Sequence, residues 1–258
     1  MERGVGGTWR TAHRPRAGEA SAKGTPNDSM LARFGVASVR PTPKSVKRGR
    51  IRVTRRHIPS PTIDLVTLEI QPLTESRFAD LASLFEQGGD PKWCWCSSFR
   101  LRGQDFTKAN PAQNREVLRT AVREQDNAPG LVAYDEGVAV GWVSLGPRSD
   151  FERLAHSRVL RPVDEKPVWS IVCFVVGRRS RRQGVAGALL DAAIEYARAH
   201  GASTLEAYPT ELAAGERIPS ANAYMGTLGM FERAGFKVVE RRQANATSPV
   251  RPIVRLAL

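Results

Sequence analysis

Apolar positions along this chain follow two periods, and the switching between them lays out the elements. Residues 67–73 alternate well enough for a strand. Thr74 follows as an N-cap, and Phe78, Leu81, Leu84 and Phe85 then fall on one helical face that Gly88 and Gly89 close. Asn110 and Pro111 open a second helix, a cap with proline at the first helical position; it runs to about Glu124 with Val117, Leu118 and Val122 on its buried side. Residues 130–134 and 138–145 are apolar strands joined by Asp135-Glu136-Gly137, a hairpin signal. Residues 168–176 form a continuous apolar, β-branched run, as expected of a strand buried on both faces. Val185, Ala186, Leu189, Leu190, Ala193, Ile194 and Ala197 then share one helical stripe that Gly201 ends. A strand over 203–208, a helix over 223–234 stopped by Gly235, and strands over 236–241 and 252–258 complete the order β-α-α-β-β-β-α-β-α-β-β.

Charge divides the chain differently. Residues 1–60 hold 14 Lys and Arg against 3 Asp and Glu, so they carry most of the net +13, and their apolar residues show no period. They read as a disordered basic extension. Such an arm could touch nucleic acid; the favoured reading is a solvated tail, or upstream sequence from a start placed before Met30. The remainder, ordered from about residue 63, is nearly neutral and long enough for one sizeable core. No run of 18 apolar residues predicts a membrane span, and three cysteines without a secretory signal suggest a reducing, cytoplasmic setting.

Two segments stand out. Trp93-Cys94-Trp95-Cys96 packs two Trp and two Cys into four residues. The nearest histidines, His57 and His156, are distant in sequence, so an aromatic plug in a core or pocket wall is favoured over a metal site, and no metal is expected. Residues 148–167 are polar with a short amphipathic piece at 151–154, and read as a loop that could act as a flap.

The densest chemistry lies at the junction of the 168–176 strand and the following helix. Gly177-Arg178-Arg179-Ser180-Arg181-Arg182-Gln183-Gly184 joins them, with four arginines and a glycine at the helix start. The first helical N–H groups have no partners within their own helix, and the helix dipole favours an anion there. The unit therefore reads as a phosphate cradle.

Arg181-Arg182-Gln183-Gly184-Val185-Ala186 resembles the Arg/Gln-x-x-Gly-x-Gly/Ala signature of the GNAT superfamily of acyl-CoA-dependent N-acyltransferases. Met230-Phe231-Glu232-Arg233-Ala234-Gly235-Phe236 is similar to that family's last helix and the start of its next strand, and the element order agrees over about residues 64–258. The resemblance implies an α/β (α+β) fold with a mixed, mostly antiparallel central sheet flanked by helices, in a domain over 63–258. It implies acetyl-CoA as co-substrate. Main-chain groups of Phe174, Val175 and Val176 would bind its pantetheine arm, and amides of Arg182, Gln183, Gly184, Val185, Ala186 and Gly187 its pyrophosphate, with Arg181 adding charge. The expected reaction is direct attack of a primary amine, from a small molecule or a protein, on the thioester in a ternary complex. The family's last strands also suggest a homodimer contact.

The usual proton-transfer groups are missing. Phe231 stands where many members carry a tyrosine acid, and Ser170 where some carry a glutamate base. Tyr224 and Glu206 are the candidate substitutes; the plain alternatives are a packed aromatic and a solvent-facing strand residue. A site acting mainly by positioning is also compatible with this chemistry. A non-catalytic acyl-CoA sensor is the second reading. A dinucleotide-binding Rossmann unit fits poorly, because Gly-x-Gly-x-x-Gly spacing is absent, and no P-loop pattern exists.

Overall fold

A computed structural model describes residues 51–52, 68–212 and 220–258. All of them belong to one compact unit, Arg48–Leu258. The basic segment 1–60 lies outside the described residues except for Ile51 and Arg52.

Among the described residues eight strands form one sheet in the order β1-β2-β3-β4-β5-β6-β8-β7. They are β1 (Ile51–Arg52), β2 (Glu69–Pro72), β3 (Gly130–Asp135), β4 (Val138–Pro147), β5 (Trp169–Val176), β6 (Thr204–Ala207), β7 (Lys237–Arg242) and β8 (Arg251–Ala257). Every neighbouring pair is antiparallel except β5 and β6. That parallel pair needs a crossover, and α7 (Val185–Ala199) supplies it. The eleven expected elements are all present. The β7 edge carries an irregularity between Val238 and Glu240, and Val239 there is exposed.

The sheet separates two apolar layers. Leu189, Leu190, Ala193 and Ile194 of α7 pack with Ile70, Leu131, Val143, Ile171 and Phe231. The opposite face gathers α1 (Phe78–Glu86), Leu118 of α5 (Pro111–Glu124), Leu154 of α6 (Glu152–His156), Trp142 and Val172. Each fully buried Leu or Ile removes enough apolar surface from water to stabilise the fold by about 1.5–3 kcal/mol. Close approach of α7 needs Gly141 on β4, where an added Cβ would lie 2.6 Å from Val185 Cγ1.

Local details refine the sequence reading. Asn110 accepts a bond from the Gln113 amide, and Gln113 Oε1 accepts one from the Asn110 amide, a reciprocal capping box. Thr74 precedes a short 3₁₀ turn, but its side chain makes no capping bond; its hydroxyl faces Ser76 and accepts from Arg77 instead. The Trp-Cys segment forms two single helical turns, α2 (Pro91–Cys94) and α3 (Ser97–Arg100). Trp95 and Cys96 between them both adopt left-handed backbone, φ 45° and 56°. Trp95 and Cys96 are buried beside Phe78, Phe85 and Trp142, whereas Trp93 is 64% exposed. The aromatic plug is thus one tryptophan, not two. A further helix, α4 (Gly103–Lys108), links this segment to α5.

The expected flap over 148–167 is corrected. Phe151, Leu154 and Leu160 are buried, and three arginines tie the segment down. Arg148 donates to Leu160 O, Arg242 to the carbonyls of Arg161 and Pro162, and Arg255 to both oxygens of Asp164. The predicted helix over 223–234 is also broken. A 3₁₀ turn over Ser220–Met225 ends at Gly226, whose φ is 76°, before α8 (Leu228–Arg233) begins. Among the described residues no helix is long and apolar enough to cross a membrane.

Candidate active site

The site starts from a fork in the sheet. β5 and β6 pair through Trp169↔Leu205, Ser170↔Glu206 and Ile171↔Ala207. Beyond Ile171 the described residues of β5 have no β6 partner, while β4 pairs along β5 as far as Val176. The fork coincides with a bulge: Ser144 faces Cys173 and Leu145 faces Ile171, so Val172 is the additional residue. Its effect shows in the packing. Ile171 joins the α7 layer, Val172 and Cys173 both join the opposite layer, and Phe174 returns to the α7 side. The bulge therefore sets which side chains face each layer where β5 leaves β6.

Residues 177–184 carry the chain from β5 into α7. Arg181 Nε donates to Val176 O at 3.3 Å, and Gln183 Nε2 to Arg179 O at 3.0 Å, so the loop is folded onto itself. Gly184 is the N-cap of α7 with φ 83°, a left-handed conformation that favours glycine, and it offers no capping side chain. Arg182 also has positive φ, 63°. A cleft of about 560 Å³ opens at this helix start. Val176, Arg181, Arg182, Gly184, Val185, Ala186 and Gly187 line one wall, and Thr227, Met230 and Arg233 the other. Of the ten predicted cofactor residues, Phe174, Val175 and Gln183 lie outside this lining. Phe174 is buried against Phe231, with ring centroids 6.1 Å apart. An uncapped helix end, exposed arginines and an apolar floor fit a ligand with phosphate and an extended organic arm.

Residues 95–236 match the model of the Acetyltransferase (GNAT) family. The chain belongs to that family. Several solved structures are similar to it at low sequence identity. A histone acetyltransferase HPA2 and related acetyltransferase from Corynebacterium glutamicum is 19% identical, over 72% of this chain and 93% of that one, with a TM-score of 0.44. A polyamine N-acetyltransferase from Drosophila melanogaster, which forms N-acetylagmatine, is 13% identical over 74% and 100%, with a TM-score of 0.47. The NatC complex bound to Gag peptide and CoA is 14% identical over 74% and 98%, with a TM-score of 0.42. No curated protein matches the chain.

In this GNAT domain the residues around the fork form a buried polar cluster. Glu206 is fully buried, which corrects the solvent-facing alternative. Its carboxylate accepts from Arg148 Nη1, from Arg255 Nε at 2.8 Å and from the Tyr208 hydroxyl at 2.7 Å. The Tyr208 oxygen also lies 3.1 Å from Ser170 Oγ. Burial, reinforced by the Glu206 charge, raises the Tyr208 phenol well above its ordinary range, so it stays protonated and donates. A carboxylate held by two guanidinium groups and a phenol is occupied by structure. The partners Arg148, Tyr208 and Arg255 have no sequence signal of their own; pairing across 58 and 49 residues only appears once the strands align.

Tyr224 is different. It sits on the 3₁₀ turn before α8, is 41% exposed, and its ring centroid lies 6.4 Å from that of Phe99. Phe231 is completely buried between Phe174 and Phe236, so the position of the usual tyrosine has no hydroxyl and no access to solvent. Behind the fork, Cys96 accepts from Trp142 Nε1 at 3.3 Å. A hydrogen bond from the Cys173 thiol, with Trp142 and Arg100, lowers Cys96, and the same contact raises Cys173. Burial pushes the Cys94 thiol up to about 12. Both Cys96 and Cys173 are buried core thiols.

Proposed function

We propose that this protein transfers an acetyl group from acetyl-CoA to a primary amine by direct attack in a ternary complex. The observation that supports it best is the conjunction of the β5–β6 fork with the cleft at the α7 N-terminus. The open edge of β5 offers main-chain groups of Phe174, Val175 and Val176 for the pantetheine amides, which would complete the ladder that β6 leaves. The helix-start amides and Arg181 or Arg182 hold the pyrophosphate. Acetyl-CoA supplies an activated thioester; the chain orients it against the amine.

In the reaction the neutral amine nitrogen bonds to the thioester carbon and gives up a proton to water, the carbon–sulfur bond breaks, and a proton must reach the departing thiolate. Tyr224 is the exposed phenol beside the fork and is the proposed donor. Glu206 holds Tyr208 and the two arginines in place and is not assigned the base.

Calorimetry with acetyl-CoA and with NAD(H), followed by thiol release across an amine panel, tests the reading. Acetyl-CoA should bind, NAD(H) should not, and an amine should release thiol. Tyr224→Phe should lower kcat by about 10²-fold with little change in acetyl-CoA affinity. Binding of NAD(H) without CoA would exclude the proposal. The buried Phe231 favours one alternative, a CoA-binding sensor without turnover, and CoA binding with no active amine would select it.

A further inference from the structure

The last two strands carry four arginines, and three of them meet carboxylates. Arg241 makes a two-pronged bond to Glu211 at 3.0 Å, Arg242 pairs with Glu240, and Arg255 with Asp164 and Glu206. Arg251 opens β8 and has no carboxylate partner among the described residues. Its Nη1 donates to three neutral oxygens: Thr210 Oγ1 at 2.9 Å, Pro209 O at 3.2 Å and Tyr208 O at 3.4 Å. It also stands directly opposite Arg242 in the β7–β8 register, where like charges disfavour each other. Burial disfavours its charged form, and Tyr224 opposes that effect.

The surroundings locate this cation, which meets no carboxylate among the described residues, beside the reacting region. Thr210, which Arg251 touches, accepts from Leu228 N and donates to Gly226 O, both at 2.9 Å. Those bonds fasten it to the turn carrying Tyr224. Across from Tyr224 lies Phe99, and the Arg153 guanidinium sits 5.7 Å from that ring. The rim thus carries two aromatic rings, with Arg153 against Phe99 and Arg251 joined through Thr210 to the turn that bears Tyr224. A second cation brought here would raise the repulsion; an anion would relieve it.

We propose that the amine acceptor also carries a carboxylate, and that Arg251 binds this carboxylate beside Tyr224. The inference rests on the acetyltransferase reading and names its substrate class. Among the described residues Arg251 bonds only through Nη1, so Nε and Nη2 can make charge-assisted bonds to such a group.

Three amines of equal carbon chain separate the classes: 5-aminopentanoate, pentylamine and 1,5-diaminopentane. Each is titrated by calorimetry into the full-length protein loaded with CoA, then assayed with acetyl-CoA. The aminopentanoate should bind about tenfold more tightly than either other amine, the expected yield of one charge-assisted bond. Arg251→Gln should abolish that preference and Arg251→Lys should retain part of it, with CoA affinity alike in all three proteins. An equal or tighter diamine, a preference that survives Arg251→Gln, or no binding by any of the three would overturn the proposal while CoA binding stands. Failure to bind CoA at all would sink the acetyltransferase reading first.

Discussion

Gly184 shows how one residue can decide access to a whole ligand. Its φ of 83° would place the Cβ of an alanine against its own carbonyl, at a cost of about 1–2 kcal/mol. The loop can relieve that strain only by moving the first amides of α7. Gly184→Ala should therefore lower the melting temperature modestly and weaken acetyl-CoA binding disproportionately, read by thermal unfolding with and without ligand. Glu206 calls for the opposite pattern. Its carboxylate is fully buried and pairs with Arg148 and Arg255, which are themselves mostly buried. Glu206→Gln leaves the mostly buried Arg148 without its carboxylate and Arg255 with Asp164 alone, and should cost about 3–5 kcal/mol in denaturant unfolding. A stable Glu206→Gln protein with reduced kcat would instead make Glu206 a proton-transfer group. The motif around Gly184 was legible in the sequence because its spacing is local. Glu206 was legible as an acid on a strand, but its burial was not, since its partners come from elements 49 and 58 residues away.

Elements with strong local signals emerged where the pattern placed them. Asn110, Pro111 and Gln113 fix the start of α5 through bonds three residues apart, and the apolar stripe of α7 is nearly continuous. The Trp95–Cys96 bend was hidden because large side chains seldom take left-handed backbone. It is held by tertiary packing against Phe78, Phe85 and Trp142. The 148–167 segment misled for a related reason: its polar composition suggests a loose loop, but two of the three arginines that secure it lie on β7 and β8. That strap has a pH dependence. The Arg255 hydrogen bond holds Asp164 below the usual carboxylate range. A folded value below the unfolded one means the contribution is complete above the unfolded value and is lost as pH falls through the lowered value. Backbone hydrogen exchange over residues 157–166 should accelerate, relative to the α7 amides, as pH drops through that interval. Asp164→Asn should show the faster ratio already at neutral pH.

At the scale of the molecule, the sheet serves two layers and one opening. The β5–β6 parallel pair is a single exception in an antiparallel sheet, and the fork lies where that exception ends. The order of elements along the chain and the GNAT resemblance were readable because the crossover helix follows a buried strand. Of the side chains proposed to meet the acceptor, Tyr224 was readable and Arg251 was not, because only the pairing of β8 and its bond to Thr210 bring it there. The outer edge at β7 carries one more consequence. A sheet ending in free N–H and C=O groups is a template for intermolecular strand addition and aggregation. Here Lys237 and Arg241 are exposed along the strand, and the irregularity at Val239 breaks its hydrogen-bonding rhythm. A foreign strand aligned on β7 would lose register within a few residues, so this edge resists becoming the seed of a fibril.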